Sequence, residues 1–138
     1  MLAISNKSRY GIAALLALAE YHHSGLLPIK EISSRCSIPR QFLEQIFNML
    51  GKAGIIKSTR GKHGGYELAL PPEQITVLQI VSVLEGDIEF VPKTTEANDV
   101  IVELFREAEE NLKQVLTVSL AELVAKQQAI RRNVIYNI

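Results

Sequence analysis

The apolar positions of this chain fall into distinct rhythms, and each rhythm predicts an element. Between Tyr10 and Tyr21, residues Ile12, Ala13, Ala14, Leu15, Leu16, Ala17, Leu18 and Ala19 are apolar almost all round. Such a helix packs on several sides, and it is expected to be the pillar of the core. Ser8 is placed to cap it, and Gly25 and Pro28 punctuate the turn that follows. Ile29 to Cys36 is a short helix with Ile29, Ile32 and Cys36 inward. Ser37 and Ile38 make a tight turn, and Pro39 presets the first turn of the next helix, Arg40 to Ala53. There Phe42, Leu43, Ile46, Phe47 and Leu50 form the apolar side, leaving Arg40, Gln41, Glu44, Gln45 and Asn48 outside. Gly54 ends that helix.

The rhythm then shortens to two. Ile55 to Thr59 reads as a strand, and Tyr66 to Leu70, with Tyr66, Leu68 and Leu70 alternating, as its partner. The tip between them, Arg60 to Gly65, is basic and glycine-rich. Pro71 and Pro72 close the hairpin, and Thr76 caps a helix from Val77 to Leu84 with Val77, Ile80, Val81 and Leu84 inward. Gly86 to Asn98 is irregular, a length at which loops often carry function. From Asp99 to Val118, residues Val100, Ile101, Leu104, Phe105, Ala108, Leu112, Val115 and Leu116 form one stripe roughly 30 Å long at 1.5 Å per residue. Glu103, Arg106, Glu107, Glu109, Glu110 and Lys113 form a solvated face opposite. Ser119 begins a last helix that buries Leu120, Leu123 and Val124, and the tail from Arg131 is apolar enough to be expected to dock.

Short helix, tight turn, second helix and basic hairpin, in that order, are a winged helix-turn-helix, which places one helix in a DNA groove. The expected fold is therefore mainly α with a small β-hairpin. Residues 1–84 form the winged domain, 85–98 a loop, and 99–138 a long dimerisation helix with a final helix. A winged helix of about 70 residues cannot cover so long a stripe. Either the first and last helices of the same chain do so, or the same helix of a second copy does. The second is more economical and gives a two-fold dimer.

Composition changes this picture little; charge changes it more. Apolar residues make up 47% and charged residues 22%, the balance of a globular protein. No run of 18 apolar residues exists, so no membrane span is expected. The first ten residues lack the apolar core of a secretory signal. The single cysteine, Cys36, excludes an internal disulfide and fits a reducing compartment, so a cytoplasmic location is expected. The net charge of zero hides a polarity: residues 1–71 carry nine Lys/Arg against four Asp/Glu, and residues 72–138 carry six against eleven. Only the front half suits a polyanion.

The candidate chemistry lies on that front half. Gln41 and Gln45 can pair bidentately with adenine, Arg40 with guanine, and Glu44 can accept from the cytosine amine. At the tip, Arg60 and Lys62, next to His63, supply cations for phosphates or for a narrow minor groove. The glycine-rich tip links two strands and opens no helix, which argues against a nucleotide cradle. His22 and His23 suit the end of a helix dipole better than a metal, since no second cluster completes a site. Cys36 reads first as a small hydrophobe. The sharper alternative is a redox-sensing thiol whose pKa is lowered by Arg35 and Arg40. No nucleophile, base and orienter stand at recognisable spacing, so an enzyme is not expected; Glu85, Asp87 and Glu89 read as surface. The expected function is a DNA-binding transcription regulator, most simply a repressor. The alternative is a module whose winged helix or tail holds another protein.

These residues also resemble a known family. Ser8-Arg9-Tyr10, Phe42-Leu43-Glu44-Gln45, Ser58-Thr59-Arg60-Gly61 with Gly64-Gly65-Tyr66, and Leu84-Glu85-Gly86 before a long helix are similar to the IscR, NsrR and CymR family of bacterial transcription regulators. The resemblance implies a homodimer on a partly palindromic operator, with Gln41, Glu44 and Gln45 facing bases and Arg60 in the minor groove. It implies phosphate contacts for Ser5, Lys7 and Tyr10. Pro39 departs from the polar cap common in the family. The stretch 86–98 lies where the IscR and NsrR branch binds an iron–sulfur cluster through three cysteines, but it holds neither cysteine nor histidine. Ligation of a cluster needs several such side chains, so none is expected there. In this the chain resembles the CymR branch, which is controlled by a partner enzyme; the ending Tyr136-Asn137-Ile138 resembles that branch's Tyr-Ile.

Overall fold

The computed structural model describes residues 2–96 and 98–136, and the side chains of all of these except Ile135 and Tyr136. The order is α1 (Asn6–Glu20), α2 (Ile29–Cys36), α3 (Arg40–Lys52), β1 (Ile56–Thr59), β2 (Gly65–Leu68), a 3-10 turn (Pro72–Gln74), α4 (Val77–Glu85), α5 (Val100–Val115) and α6 (Leu120–Tyr136). This is the mainly helical winged arrangement that the sequence predicts.

Helix α1 is the pillar. Ala14 and Leu15 are fully buried, and α2, α3, α4, α6 and β2 all pack against it. Gly11 lets α4 come close, because a Cβ there would stand 2.5 Å from Leu84 Cδ1. The cap differs from expectation. Ser5, not Ser8, is the N-cap and accepts from Ser8 N–H at 3.4 Å. Ser8 is instead a fully buried helical residue, because its hydroxyl finds a carboxylate on α4. His22 and His23 lie beyond the C-cap Tyr21, so they do not complete the helix's last turn.

The α2–α3 turn closes through Ser37 in the left-handed region (φ 54°) and a bond from Ser33 Oγ–H to the Ile38 carbonyl at 2.6 Å. Helix α3 buries Leu43, Ile46, Phe47 and Leu50 as predicted. Phe42 does not join them: it is half exposed and meets Tyr10 edge-on, with ring centroids 6.0 Å apart. The hairpin is antiparallel in the register Ile56–Leu68 to Thr59–Gly65. The sequence did not foretell the extra bridge that anchors it: Leu27 and Tyr66 exchange both backbone bonds, at 3.0 and 2.9 Å. Gly65 permits this approach, since a Cβ there would stand 2.7 Å from the Leu27 carbonyl carbon. Leu70, expected to continue the alternation of the second strand, lies past β2 and is 40% exposed.

Helix α4 carries a full capping box from Thr76 and Gln79. Its first N–H groups lack partners within the helix. Val77 and Leu78 donate to the carbonyls of Val118 and Leu116, at 3.0 and 2.7 Å, and Leu120 N–H donates to Ile75. These bonds stitch the end of α5 and the start of α6 to the body. Helix α6 then packs on α1 and the 3-10 turn. Leu120 is buried, whereas Leu123 and Val124 are only half buried, because α6 covers the body from one side. Over its described side chains the tail touches the body through one ion pair, Arg131 Nη1 to Glu20 Oε1 of α1 at 3.3 Å. Arg131 to Val134 continue α6 and stay exposed; Asn137 and Ile138 lie outside the described residues.

Helix α5 is the exception to the packing. Asp99 caps it through Ile101 and Val102 N–H groups at 3.0 and 2.9 Å. Its 16 residues span roughly 24 Å, and Val102 is its one buried residue. The predicted stripe is open over most of its length: Val100 is 77% exposed, Ile101 63%, Leu104 60% and Val115 71%, while Leu112 and Leu116 are half-buried. The face predicted to be solvated is not wholly so, because Glu109 turns in to accept from Phe90 N–H at 2.9 Å and draws Lys113 with it, both half-buried.

Candidate nucleic-acid interface

The face of α3 that carries Arg40, Gln41, Glu44, Gln45 and Asn48 is exposed throughout. Those positions fall on one side because the four buried apolar residues, spaced three and four apart, hold the other side against the core. Arg40 Nε and Glu44 Oε1 stand 3.6 Å apart as an exposed i,i+4 pair. Such a pair is weak and can open to a better partner.

The hairpin lies beside this face. A cleft of about 720 Å³ is lined by Glu44, Asn48 and Lys52 of α3 and by Ile56, Lys57 and Ser58 of β1, over a floor of Phe47 and Tyr66. The two rings lie 4.6 Å apart and join helix to hairpin. Lys52, Lys57 and Ser58 were absent from the candidate set. Strand alternation signalled Lys57 alone, which faces out because Ile56 is buried; Ser58 is exposed against that alternation, and Lys52 gave no such signal. Beyond Thr59 the tip turns through Gly64 N–H donating to the Gly61 carbonyl at 3.0 Å. Arg60, Lys62 and His63 are all exposed there.

The start of α1 completes the surface. Tyr10 touches Phe42 and so stands beside the first turn of α3. Ser5 and Lys7 occupy the end and first turn of the same helix. Ser5 is engaged: its N–H donates to Glu85 Oε1 at 3.3 Å, its hydroxyl donates to the same oxygen, and the Ser8 hydroxyl joins them at 2.7 Å. The bond from the Ser5 hydroxyl, followed by that from Ser8, holds the Glu85 carboxyl below its ordinary value.

Cys36 sits elsewhere, in a cleft of about 350 Å³ with Glu20, Tyr21, Arg35 and Arg131. Its thiol lies 3.7 Å from the Ala13 carbonyl. Burial pushes the thiol pKa up, with Glu20 acting the same way; Arg35 pulls it down by less. The direction is opposite to the one expected from the flanking arginines. His22 and His23 rings are 4.8 Å apart. Among the described residues no group of three or more His, Cys, Asp or Glu could hold a metal.

A polar helix face, a cationic hairpin beside it and a helix start joined to the first turn of α3 through Tyr10 and Phe42 are the parts of a winged helix-turn-helix DNA-binding protein. The sequence profile of the Rrf2 family, described as an iron-dependent transcriptional regulator, matches residues 4–126, and the chain belongs to that family. The HTH-type transcriptional regulator CymR of Bacillus subtilis is 35% identical over 124 residues, 90% of each chain. An IscR of Aliivibrio salmonicida is 36% identical over 88 residues, 64% of this chain and 52% of that protein. The solved structure of B. subtilis CymR, titled the global cysteine regulator, superposes with a TM-score of 0.83 at 35% identity, covering 91% of this chain and 98% of that one. That of T. potens IscR does so at 0.79 and 33%, covering 91% and 88%. The chain is thus a DNA-binding transcription regulator and not an enzyme.

The family description speaks of iron. The donor set of this chain does not fit a thiolate-bound cluster. Its one thiol is half-buried at the end of α2, and residues 86–98 contain no cysteine or histidine.

Proposed function

We propose that the chain is a sequence-specific repressor that binds a partly palindromic operator as a homodimer, in the bacterial cytoplasm. One observation carries the DNA part: Glu44 and Asn48 of α3 and Lys57 and Ser58 of β1 line a single open cleft, so helix and hairpin meet the same duplex. Gln41, Glu44 and Gln45 read base edges in the major groove. Arg60 enters the adjacent minor groove, with Lys62 and His63 at the tip. Lys7 and Tyr10 hold phosphates on one flank, beside the Ser5 cap whose donors Glu85 takes, and Lys52 and Lys57 do so beside the wing. The apolar face of α5 supports the pair, since among the described residues Ile101 and Leu104 stay 63% and 60% exposed. A two-fold pair presents two recognition helices, which is why the operator is read as a partial palindrome. Occupying the groove is enough to exclude another protein, hence repression.

Selection of bound duplexes from a random pool, with the mass of the complex measured alongside, tests this. The expected result is two related half-sites about one helical turn apart or a multiple of it, with two chains per duplex. Recovery of unrelated sequences, or one chain per duplex, would overturn it.

A further inference from the structure

Glu85 is the last residue of α4, where a negative charge opposes the helix dipole. Its three donors account for its place there. Ser5 N–H (3.3 Å), the Ser5 hydroxyl and the Ser8 hydroxyl (2.7 Å) converge on the same oxygen, Oε1, from about eighty positions earlier in the chain. Ser8 is fully buried, so its hydroxyl needs this acceptor. Ser5 is also the cap of α1, and its oxygen accepts from Ser8 N–H. The carboxylate therefore fixes both the cap and the first turn, which carries Lys7. It does so beside a cation that the DNA reading assigns to phosphate.

We propose that Glu85 is a positioning residue for DNA binding: by taking both donors of the Ser5 cap it fixes the start of α1 so that Lys7 and Tyr10 meet the phosphate backbone together. This rests on the DNA reading above. It runs against simple electrostatics. A carboxylate near bound phosphates repels them, so its charge alone predicts that removing it tightens binding. Positioning predicts the reverse for a side chain that cannot accept a hydrogen bond. The same residue is followed directly by Gly86, where the segment leading to α5 begins, so the end of α4 holds both the DNA-facing arm and that connection.

The test is salt-dependent titration of a specific duplex with the full chain and its variants. Glu85→Ala is expected to weaken binding about tenfold and to lower the salt slope by about one, the signature of a lost phosphate contact. Glu85→Gln keeps an acceptor oxygen and is expected to stay within about threefold of wild type. In a double cycle with Lys7→Ala the losses should be far from additive, since both act through one contact. Should Glu85→Ala fold poorly, Ser8→Ala removes one donor and is expected to weaken binding about threefold, with the same loss of slope. Equal tightening by Glu85→Ala and Glu85→Gln would show charge alone at work and overturn the proposal. So would a wild type that binds the duplex with Glu85→Ala binding equally well, even if amide exchange at Ser8 and Arg9 rises. A wild type that ignores every duplex overturns the DNA reading itself, and this inference with it.

Discussion

Helices α1 and α5 are nearly the same length, 15 and 16 residues, and both are rich in apolar side chains. Their fates differ. Leu15 of α1 is fully buried, while on α5 Val100 is 77% and Ile101 63% exposed. The difference lies in the surroundings rather than in hydrophobicity. Helix α1 is apolar nearly all round and is met by elements on several sides. Helix α5 is apolar on one stripe, and among the described residues its chain half-covers Leu112 and Leu116 but leaves the first half of the stripe exposed. Helix α1 completes the body; in the proposed pair, α5 supplies half of an interface.

The largest expected effect breaks the first half of that contrast. Leu15→Ala removes a fully buried side chain from the pillar. It should cost about 2–5 kcal/mol, read by chemical denaturation of the wild type and the variant. A loss under about 1 kcal/mol would mean that α1 is not the pillar. Next comes the other half. Ile101→Asp places a charge on the exposed stripe of α5. In the proposed pair this should weaken association about 100-fold, roughly 3 kcal/mol, as measured by sedimentation equilibrium. The far-ultraviolet spectrum of the body should not change. If the variant unfolds instead of dissociating, α5 is part of the body and the comparison fails.

The same contrast explains what was legible in the sequence. The buried faces of α3 and α4 were readable because Leu43, Ile46, Phe47 and Leu50, and Val77, Ile80, Val81 and Leu84, repeat at helical spacing. Local rules also found the Thr76 cap and both strands. Contacts between residues distant in sequence were not readable. Ser8 looked like a cap because a serine before an apolar run usually is one; only Glu85, far along the chain, turns it inward. Phe42 fits the apolar period but lies at the edge, where Tyr10 covers one side of it. Leu27 gave no strand signal, because a single bridge residue has no period. The polar face of α3 and the cations of the tip were found from composition and order. The added line of Lys52, Lys57 and Ser58 needed the hairpin's placement against the helix.

A third prediction separates DNA contact from both regions. Arg60 is exposed at the tip. Arg60→Ala should weaken duplex binding about tenfold and lower the salt slope by about one. Melting temperature and mass should stay unchanged. Gly64→Ala should match or exceed this loss, since a Cβ there would run into the Thr59 carbonyl oxygen and force the tip to shift. Wild-type affinity in both variants would remove the wing from the interface.

The smallest expected effect lies where the two regions join, at Glu85. Its hydrogen bonds, that from the Ser5 hydroxyl foremost, hold the folded carboxyl below its ordinary value of 4.5. A group with a depressed folded pKa adds stability that is fully present above the ordinary value. That stability is lost as pH falls through the folded value. Wild-type stability should therefore drop, relative to Glu85→Gln, between about pH 5 and the acid side of that folded value. The amide contributes no titration. The drop should be small, because Glu85 is exposed and water screens it. Acid loosens the arm through Ser5 and Ser8, so amide exchange at Ser8 should rise over the same range while the pair stays intact by mass. Identical pH profiles for wild type and Glu85→Gln would show that the latch contributes nothing to the body. Loss of the pair over that range in the wild type, but not in the variant, would show that the body and α5 do not act separately and that Glu85 couples them.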